Sequence, residues 1–437
     1  MELQLNAKEV LTDVYLKAAL QKDMGPAAQL TSWTLEEHAE KSDDVIGIVT
    51  TVKINFKFGM KELSADYIVK MIPLQPMKAL KDMLTQGCRK ELLFYQELLP
   101  ALNTQLRVAG LEPLRTPKHL YLNHNPDEML LIMKDLRYRG FRKFREKNCF
   151  DIQHTNIVLQ ELARFHASSL LLKDKIGRRN FDIKYHFLEK EWYNVTDDAT
   201  AFFKTLFDGN IENTVAILKT LNTDERVIKW LRKIKPDVYT ILQEQMHRSS
   251  AFITLCHADC ITTNIMFRYN DDGIPVEVAL LDFQQVRKAS LATDISLLLY
   301  VCVSGIDRRR NMEGFLQTYF SSFRNVMDAG KVQVPFTFQE LLRECDDKLL
   351  FGVIWSLSVI PMLAAREDDD DEWKDAKADL GGDPEKEGKQ EEEAAVQAQP
   401  PKDKHRKEDS KMAAAECEIH KRFIPIFEEL IERRIIR

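Results

Sequence analysis

The stretch that most restricts how this chain can fold runs from Leu255 to Gln284: LCHADCITTNIMFRY, a polar turn, then VEVALLDFQ. His257, Asp259 and Asn264 stand in the spacing H-x-D-x-x-x-x-N, and Asp282 follows an apolar run. The two apolar segments flank Asn270-Asp271-Asp272-Gly273, whose Asp-Gly step signals a β-hairpin. A hairpin returns the chain to the end where it began, so residues on either side of it converge. This is the set that phosphoryl transfer needs: a carboxylate to orient a hydroxyl and take its proton, and oxygen ligands for a magnesium ion that bridges phosphates. Asp259 suits the first role, and Asn264 and Asp282 the second. His257 reads as a structural residue that holds the loop through hydrogen bonds. Taken singly, each of these is an ordinary turn or strand-end residue, and only the grouping carries the chemistry. Cys256, His257 and Cys260 do not make a zinc site, because no second ligand cluster accompanies them.

A second signal lies nearer the N-terminus. VIGIVTTVKINF (Val45 to Phe56) and ADYIVKMIP (Ala65 to Pro73) are rich in β-branched residues around a turn at Lys57 to Leu63, which predicts an antiparallel hairpin. A helix is predicted from Met83 to Leu99, closed by Pro100, and MLLIMKDL (Met129 to Leu136) reads as a further strand. On that helix Glu91 shares a face with Phe94, Tyr95 and Leu98, and a carboxylate on an apolar face needs a partner. Lys70, on the neighbouring strand, can supply it, and the pair would hold the ammonium against nucleotide phosphates. The plainer alternative is an exposed glutamate and a strand-end lysine.

Beyond Lys134 helical periodicity dominates, beginning with HTNIVLQELARFHASSLLLK. The shift predicts two lobes, residues 1–133 and 134–437. His166 in that helix reads as a packing residue. LLFGVIWSLSVIPMLAA (Leu349 to Ala365) is short for a membrane span and contains Pro361, so it reads as a buried core helix. Residues 366–411 are acidic and poor in apolar side chains, which predicts a disordered insertion. After it, Ile419, Phe423, Phe427, Leu430 and Ile431 line one face of a terminal amphipathic helix. A formal net charge of -6 gives no pull toward nucleic acid or an anionic membrane. The seven scattered cysteines and the lack of a secretory pattern at the N-terminus predict a reduced, cytoplasmic protein.

These motifs together resemble the ecdysteroid kinase-like family, also called CHK kinase-like, related to choline and aminoglycoside kinases. The similarity runs through the Lys70 hairpin, KELLFYQELLP, IMKDL, LQELARFHASS, LCHADCITTNIMF and LLDFQQVRKASLATDISLLL. It implies an α+β, bilobal protein-kinase-like fold with a small antiparallel-sheet N-lobe and a larger helical C-lobe. It implies ATP and Mg2+ as cofactors, and as substrate a hydroxylated small molecule such as a steroid or xenobiotic alcohol, with no nucleic-acid or membrane partner and a monomeric state. By motif position Asp259 matches the catalytic base, Asn264 and Asp282 the magnesium ligands, and Lys70 the phosphate-contacting lysine paired with Glu91. Gly47, Met133 and Leu136 fall in the nucleotide-binding segments. Asp294, in ATDISLLL, matches a residue that supports the catalytic loop; as a bare sequence feature it also reads as a helix N-cap.

Three positions depart from the family pattern. Ala258 stands where the family has glycine, a tolerable change unless the backbone there needs φ > 0. Lys134 replaces a glutamate beside the hinge. The nucleotide loop, KSDDVIGIVTT, holds only Gly47 and carries Asp43 and Asp44, whose charges would repel phosphates. The competing expectation is therefore a nucleotide-impaired pseudokinase that binds a ligand or partner. A protein kinase is disfavoured, since no A-P-E segment follows LLDFQ.

Overall fold

Alternating apolar residues in the first third of the chain build a five-stranded antiparallel sheet with one face for a helix and one for a cleft. The computed structural model describes residues 10–35, 48–71, 78–125, 128–144, 149–189, 196–247, 252–365 and 422–437. Gly47, Asp43, Asp44, the acidic segment 366–411 and Ile419 therefore lie outside the described residues. The first lobe contains α1 (Asp13–Met24), β1 (Ala28–Leu35), β2 (Ile48–Phe58), β3 (Lys61–Met71), α2 (Lys78–Leu93), α3 (Leu99–Val108), β4 (His119–Asn123) and β5 (Leu130–Lys134). The strand order is β1-β2-β3-β5-β4. The β2–β3 turn is tighter than the predicted Lys57–Leu63: pairing continues to Phe58 and Lys61 around Gly59, which takes φ +62°.

Because side chains alternate across a strand, Tyr67, Val69 and Met71 pack with Leu16, Ala19 and Leu20 of α1, while Ile68 and Lys70 face the other way. Met133, opposite Ile68, and Leu131, opposite Lys70, share that second face. Lys134 belongs to the α1 face, where its Nζ lies 3.1 Å from Asp23, whose carboxylate is buried. The lysine that replaces the family's glutamate thus has a partner away from the cleft.

Pro100 does not end the helix that carries Glu91. The chain passes through one π-helical turn, Phe94–Leu98, and continues as α3 with Pro100 in its first turn. A proline there costs little, since its missing N–H is one that a helix start leaves unpaired, and the π turn takes up the shift in hydrogen bonding.

The second lobe follows with β6 (Phe141–Lys143), α4 (Ile152–Ile176), α5 (Arg178–Lys184), α6 (Asp197–Thr220), α7 (Glu225–Ile234) and α8 (Val238–His247). Then come β7 (Ile253–Cys256), β8 (Ile265–Tyr269), β9 (Pro275–Leu280), β10 (Arg287–Ser290), α9 (Leu291–Cys302), α10 (Gly305–Ala329), α11 (Phe338–Asp347) and α12 (Leu349–Ala365). α12 is the predicted buried helix. Phe351, Val353, Ile354, Leu357, Ile360 and Leu363 are buried, and the helix runs on through Pro361. No helix among the described residues is long and apolar enough to cross a membrane. A last helix, α13 (residues 422–432), returns to the core with Phe423, Ile426, Phe427 and Leu430 buried.

Candidate active site

The β8–β9 hairpin forms where the Asp-Gly step predicts it. Ile265 pairs with Leu280, and the N–H of Leu281 donates to the carbonyl of Asn264 at 2.9 Å, so Asn264 and Asp282 leave the same end of the hairpin. The loop before it, His257 to Ile261, follows β7, and β7 is fixed by antiparallel pairing with β10. Asn264 turns its side-chain amide back onto Asp259, donating to its Oδ2 at 2.9 Å and its carbonyl at 3.0 Å. This leaves the amide oxygen of Asn264 as its free acceptor end, apart from a long 3.4 Å contact from the Thr263 hydroxyl.

From the sheet lobe, Lys70 reaches across 212 positions of sequence. Its Nζ lies 2.6 Å from Oδ1 of Asp282 and 2.7 Å from Oε2 of Glu91. The other oxygen of Glu91 accepts the backbone N–H of Phe283 at 3.1 Å, so a buried carboxylate ties β3, α2 and the segment after Asp282 together. Burial alone would lower the pKa of Lys70, but Asp282 and Glu91 more than offset it and hold the amine protonated. Burial raises the pKa of Glu91 despite the neighbouring ammonium. Two carboxylates against one ammonium leave this cluster one charge negative when all three are ionised.

The loop itself hangs on Asp294. Its carboxylate accepts the backbone N–H of His257 at 2.6 Å and of Ala258 at 2.8 Å. Asp294 is not the N-cap of α9: Ser290 caps that helix, and Asp294 sits fully buried within its first turns. Buried His166 reaches Asp294 Oδ2 through Nε2 at 3.0 Å and the Tyr319 hydroxyl through Nδ1 at 2.7 Å. His166 is thus more than the packing residue its sequence suggests, since its ring orients the carboxylate that carries the loop. Burial would raise the pKa of Asp294, but the hydrogen bond and charge of His166, with His257 and the Ala258 N–H, depress it. His257 Nε2 faces the carbonyl of Leu281 at 2.8 Å while Nδ1 accepts the Asp259 N–H at 3.3 Å, a pattern that fits a neutral ring. Burial, which lowers the pKa of His257, agrees.

Ala258 does adopt a left-handed backbone, φ +69°, and so does Asp282, φ +61°. An alanine in that region costs roughly 1 kcal/mol relative to the right-handed one, and the two charge-assisted bonds to Asp294 supply more than that.

His166, Cys256 and Asp294 bring ligand atoms within 4.8 Å of one another. They do not suit a metal. Asp294 is already occupied by three donors, and burial pushes the Cys256 thiol up, keeping it protonated against the carbonyls of Ala289 and Ser290.

Of the nucleotide-segment residues, Met133 lies on the Lys70 face of the sheet, and Leu136 packs with Phe141, Met266 and Ala279 beside the β8–β9 hairpin. Three side chains escaped the sequence reading. Phe283 stacks on Phe94 at 3.9 Å and meets the edge of Tyr95. Gln284 donates to Asp282 Oδ2 at 3.2 Å. Arg137, held by Asp135 at 2.8 Å, donates to the Thr51 hydroxyl at 3.0 Å and ties the turn after β5 to β2. The phenylalanine directly after Asp282 was the one legible signal among them.

Residues 41–331 match the ecdysteroid kinase-like family. An uncharacterised kinase-like protein of Caenorhabditis elegans is 24% identical over 192 residues, 44% of this chain and 46% of that protein. The match therefore spans about half the length of that relative. Among solved structures, the GDP complex of aminoglycoside 2'-phosphotransferase-IIIa aligns at a TM-score of 0.39 with 15% identity, covering 85% of this chain and 97% of the other. A microcompartment-associated aminopropanol kinase aligns at 0.38 with 10% identity, covering 80% and 89%.

Proposed function

The chain belongs to the ecdysteroid kinase-like family and has its two-lobed α+β kinase-like fold, and from that premise we propose that it transfers the terminal phosphoryl group of ATP, with magnesium, to a hydroxyl of a steroid-like or xenobiotic alcohol. The observation that carries the reading is the meeting of Lys70, Glu91 and Asp282 within 2.7 Å across the two lobes, beside the Asp259–Asn264 pair.

The donor set suits magnesium: one carboxylate and one amide oxygen are hard ligands that leave room for water and phosphate oxygens. Asn264 and Asp282 would hold the ion, which when bound neutralises phosphate charge. The negative balance of the Lys70 cluster favours arrival of a cation. Lys70 then directs its ammonium at the α and β phosphates, while Glu91 keeps it in place. Asp259, oriented by Asn264 and by the loop that Asp294 suspends, accepts the proton of the attacking hydroxyl. Met133 and Leu136 line the adenine end.

A second reading, a nucleotide-impaired binding protein, is favoured by the single glycine and the two aspartates in the sequence KSDDVIGIVTT. A calorimetric titration with magnesium-ATP, followed by a screen of hydroxylated steroids and xenobiotic alcohols for phosphate incorporation, separates the two. Saturable binding with incorporation supports the kinase. No heat at millimolar nucleotide supports the binding protein.

A further inference from the structure

α9 ends at Cys302, and the residue after it, Val303, forms a parallel bridge with Phe150, just ahead of α4. In that bridge the N–H of Phe150 donates to the carbonyl of Cys302 at 2.7 Å. The residue before Phe150 is Cys149, so one hydrogen bond separates two cysteines 153 positions apart in sequence. With standard bond lengths on either side of so short a bond, the two α carbons stand no more than about 6 Å apart, inside the roughly 4.4–6.8 Å that a disulfide spans. Both thiols are reduced; Cys149 is half-buried and Cys302 is fully enclosed.

Burial pushes the Cys302 thiol up to about 12; Arg422 and the backbone N–H of Thr262 pull against it, while Cys149 and Asp259 add to the rise. Each of these groups is therefore near enough to act on this sulfur. Cys302 lies between the more accessible thiol and the loop that carries Asp259. Thr262 opens the single helical turn that ends at Asn264, and the amide of Asn264 holds Asp259. A thiol so reluctant to ionise does not seek out an oxidant by itself. It can still answer an activated sulfur held beside it.

We propose that Cys149 and Cys302 form a modification site, at which a hydroperoxide makes an intramolecular disulfide that slows the chemistry at Asp259. The link stands on the backbone geometry, and its effect on turnover rests on the phosphotransferase reading. Peroxide meets Cys149 first: the sulfur takes one oxygen as the O–O bond breaks, giving a sulfenic acid and one water. The Cys302 sulfur then attacks the sulfenic sulfur. The S–S bond forms as the S–O bond breaks, and hydroxide leaves with the Cys302 proton as a second water. The two thiols lose two electrons, which reduce the peroxide. Drawn toward Cys149, the Cys302 sulfur withdraws from the Thr262 N–H, and the turn that presents Asn264 loses an anchor.

The test treats the full, folded chain with hydrogen peroxide, quenches it with an alkylating agent and digests it without reductant. The expected product is a peptide pair joined through Cys149 and Cys302, released by dithiothreitol and absent from Cys149→Ser. Failure to find that pair overturns the proposal. So does a main product that joins Cys302 to Cys260, whose buried thiol also feels Cys302. Phosphate incorporation is read separately. In the oxidised parent it should fall about tenfold or more, as a small displacement of a catalytic loop can cause, and return with dithiothreitol, while Cys149→Ser keeps its rate in peroxide. A linked parent that retains its full rate overturns the control of turnover. A link in a chain that incorporates no phosphate even before oxidation retires the phosphotransferase reading and leaves the disulfide standing.

Discussion

At Ala258 one methyl group sits in a backbone conformation that glycine adopts freely, and the loop carrying Asp259 bears the strain. Ala258→Gly is expected to stabilise the protein by about 0.5–1 kcal/mol, read as a higher urea midpoint at unchanged m; a lower midpoint would show that the methyl contributes packing worth more than the strain. Asp259→Asn keeps the shape and the hydrogen bond from Asn264 but loses the proton acceptor. Turnover should fall on the order of 10³-fold, about 4 kcal/mol, with the Tm preserved, and parent-level turnover would remove Asp259 from the chemistry. Asp294 predicts an acid limb. Its folded pKa lies below the ordinary 3.8, so its contribution is complete above that value and is lost as the pH falls through the folded pKa. Denaturant titrations between about pH 5 and 2 should show a steep decline that Asp294→Asn flattens, at the cost of a lower plateau near neutrality. A variant with the parent's slope would place the acid sensitivity elsewhere.

At the scale of elements, the long helices were readable from period alone and their ends were not. Pro100 looked like a stop because a lone proline usually is one; nothing in KELLFYQELLP announces the π turn that absorbs it. The same limit applies where two helices cross. Gly352 lets α12 lie against α9: a Cβ added there would meet the carbonyl oxygen of Ser296 at 2.6 Å and Tyr300 Cδ2 at 2.9 Å. Gly352→Ala should therefore destabilise by roughly 1–3 kcal/mol through overpacking, despite the better helix propensity of alanine. Unchanged thermal unfolding would mean that the two helices can part without loss.

Across the whole molecule, the meeting of Lys70, Glu91 and Asp282 was legible because each residue type was out of place locally: a lysine in an apolar strand, a glutamate on an apolar helix face, an aspartate ending an apolar run. The bond from His166 to Asp294 was hidden for the opposite reason, since a histidine among apolar helix neighbours looks the same whether or not a carboxylate waits across the core. Arg137 and Thr51 could not be paired from sequence, as neither stands out where it is. Removing the lysine tests how far the lobes depend on it. Lys70→Met leaves Glu91 buried without its counter-charge and should cost about 3–5 kcal/mol near neutrality. Glu91 already has a raised pKa, and protonation removes its charge, so the deficit should shrink toward acid pH. A deficit independent of pH would show that Glu91 finds another cation.

The helix of residues 422–432 covers surfaces made much earlier in the chain. Glu429 accepts from buried Arg308 at 3.1 Å and from the Tyr300 hydroxyl at 3.0 Å, and a Cβ on Gly305 would collide with Pro425. During synthesis α9 and α10 leave the ribosome roughly a hundred residues ahead of this cover, on the order of ten seconds at ordinary elongation rates. For that interval the nascent chain presents Arg308 and the Tyr300 ring, both meant for an interior. Its dependence on chaperones should therefore concentrate in that interval.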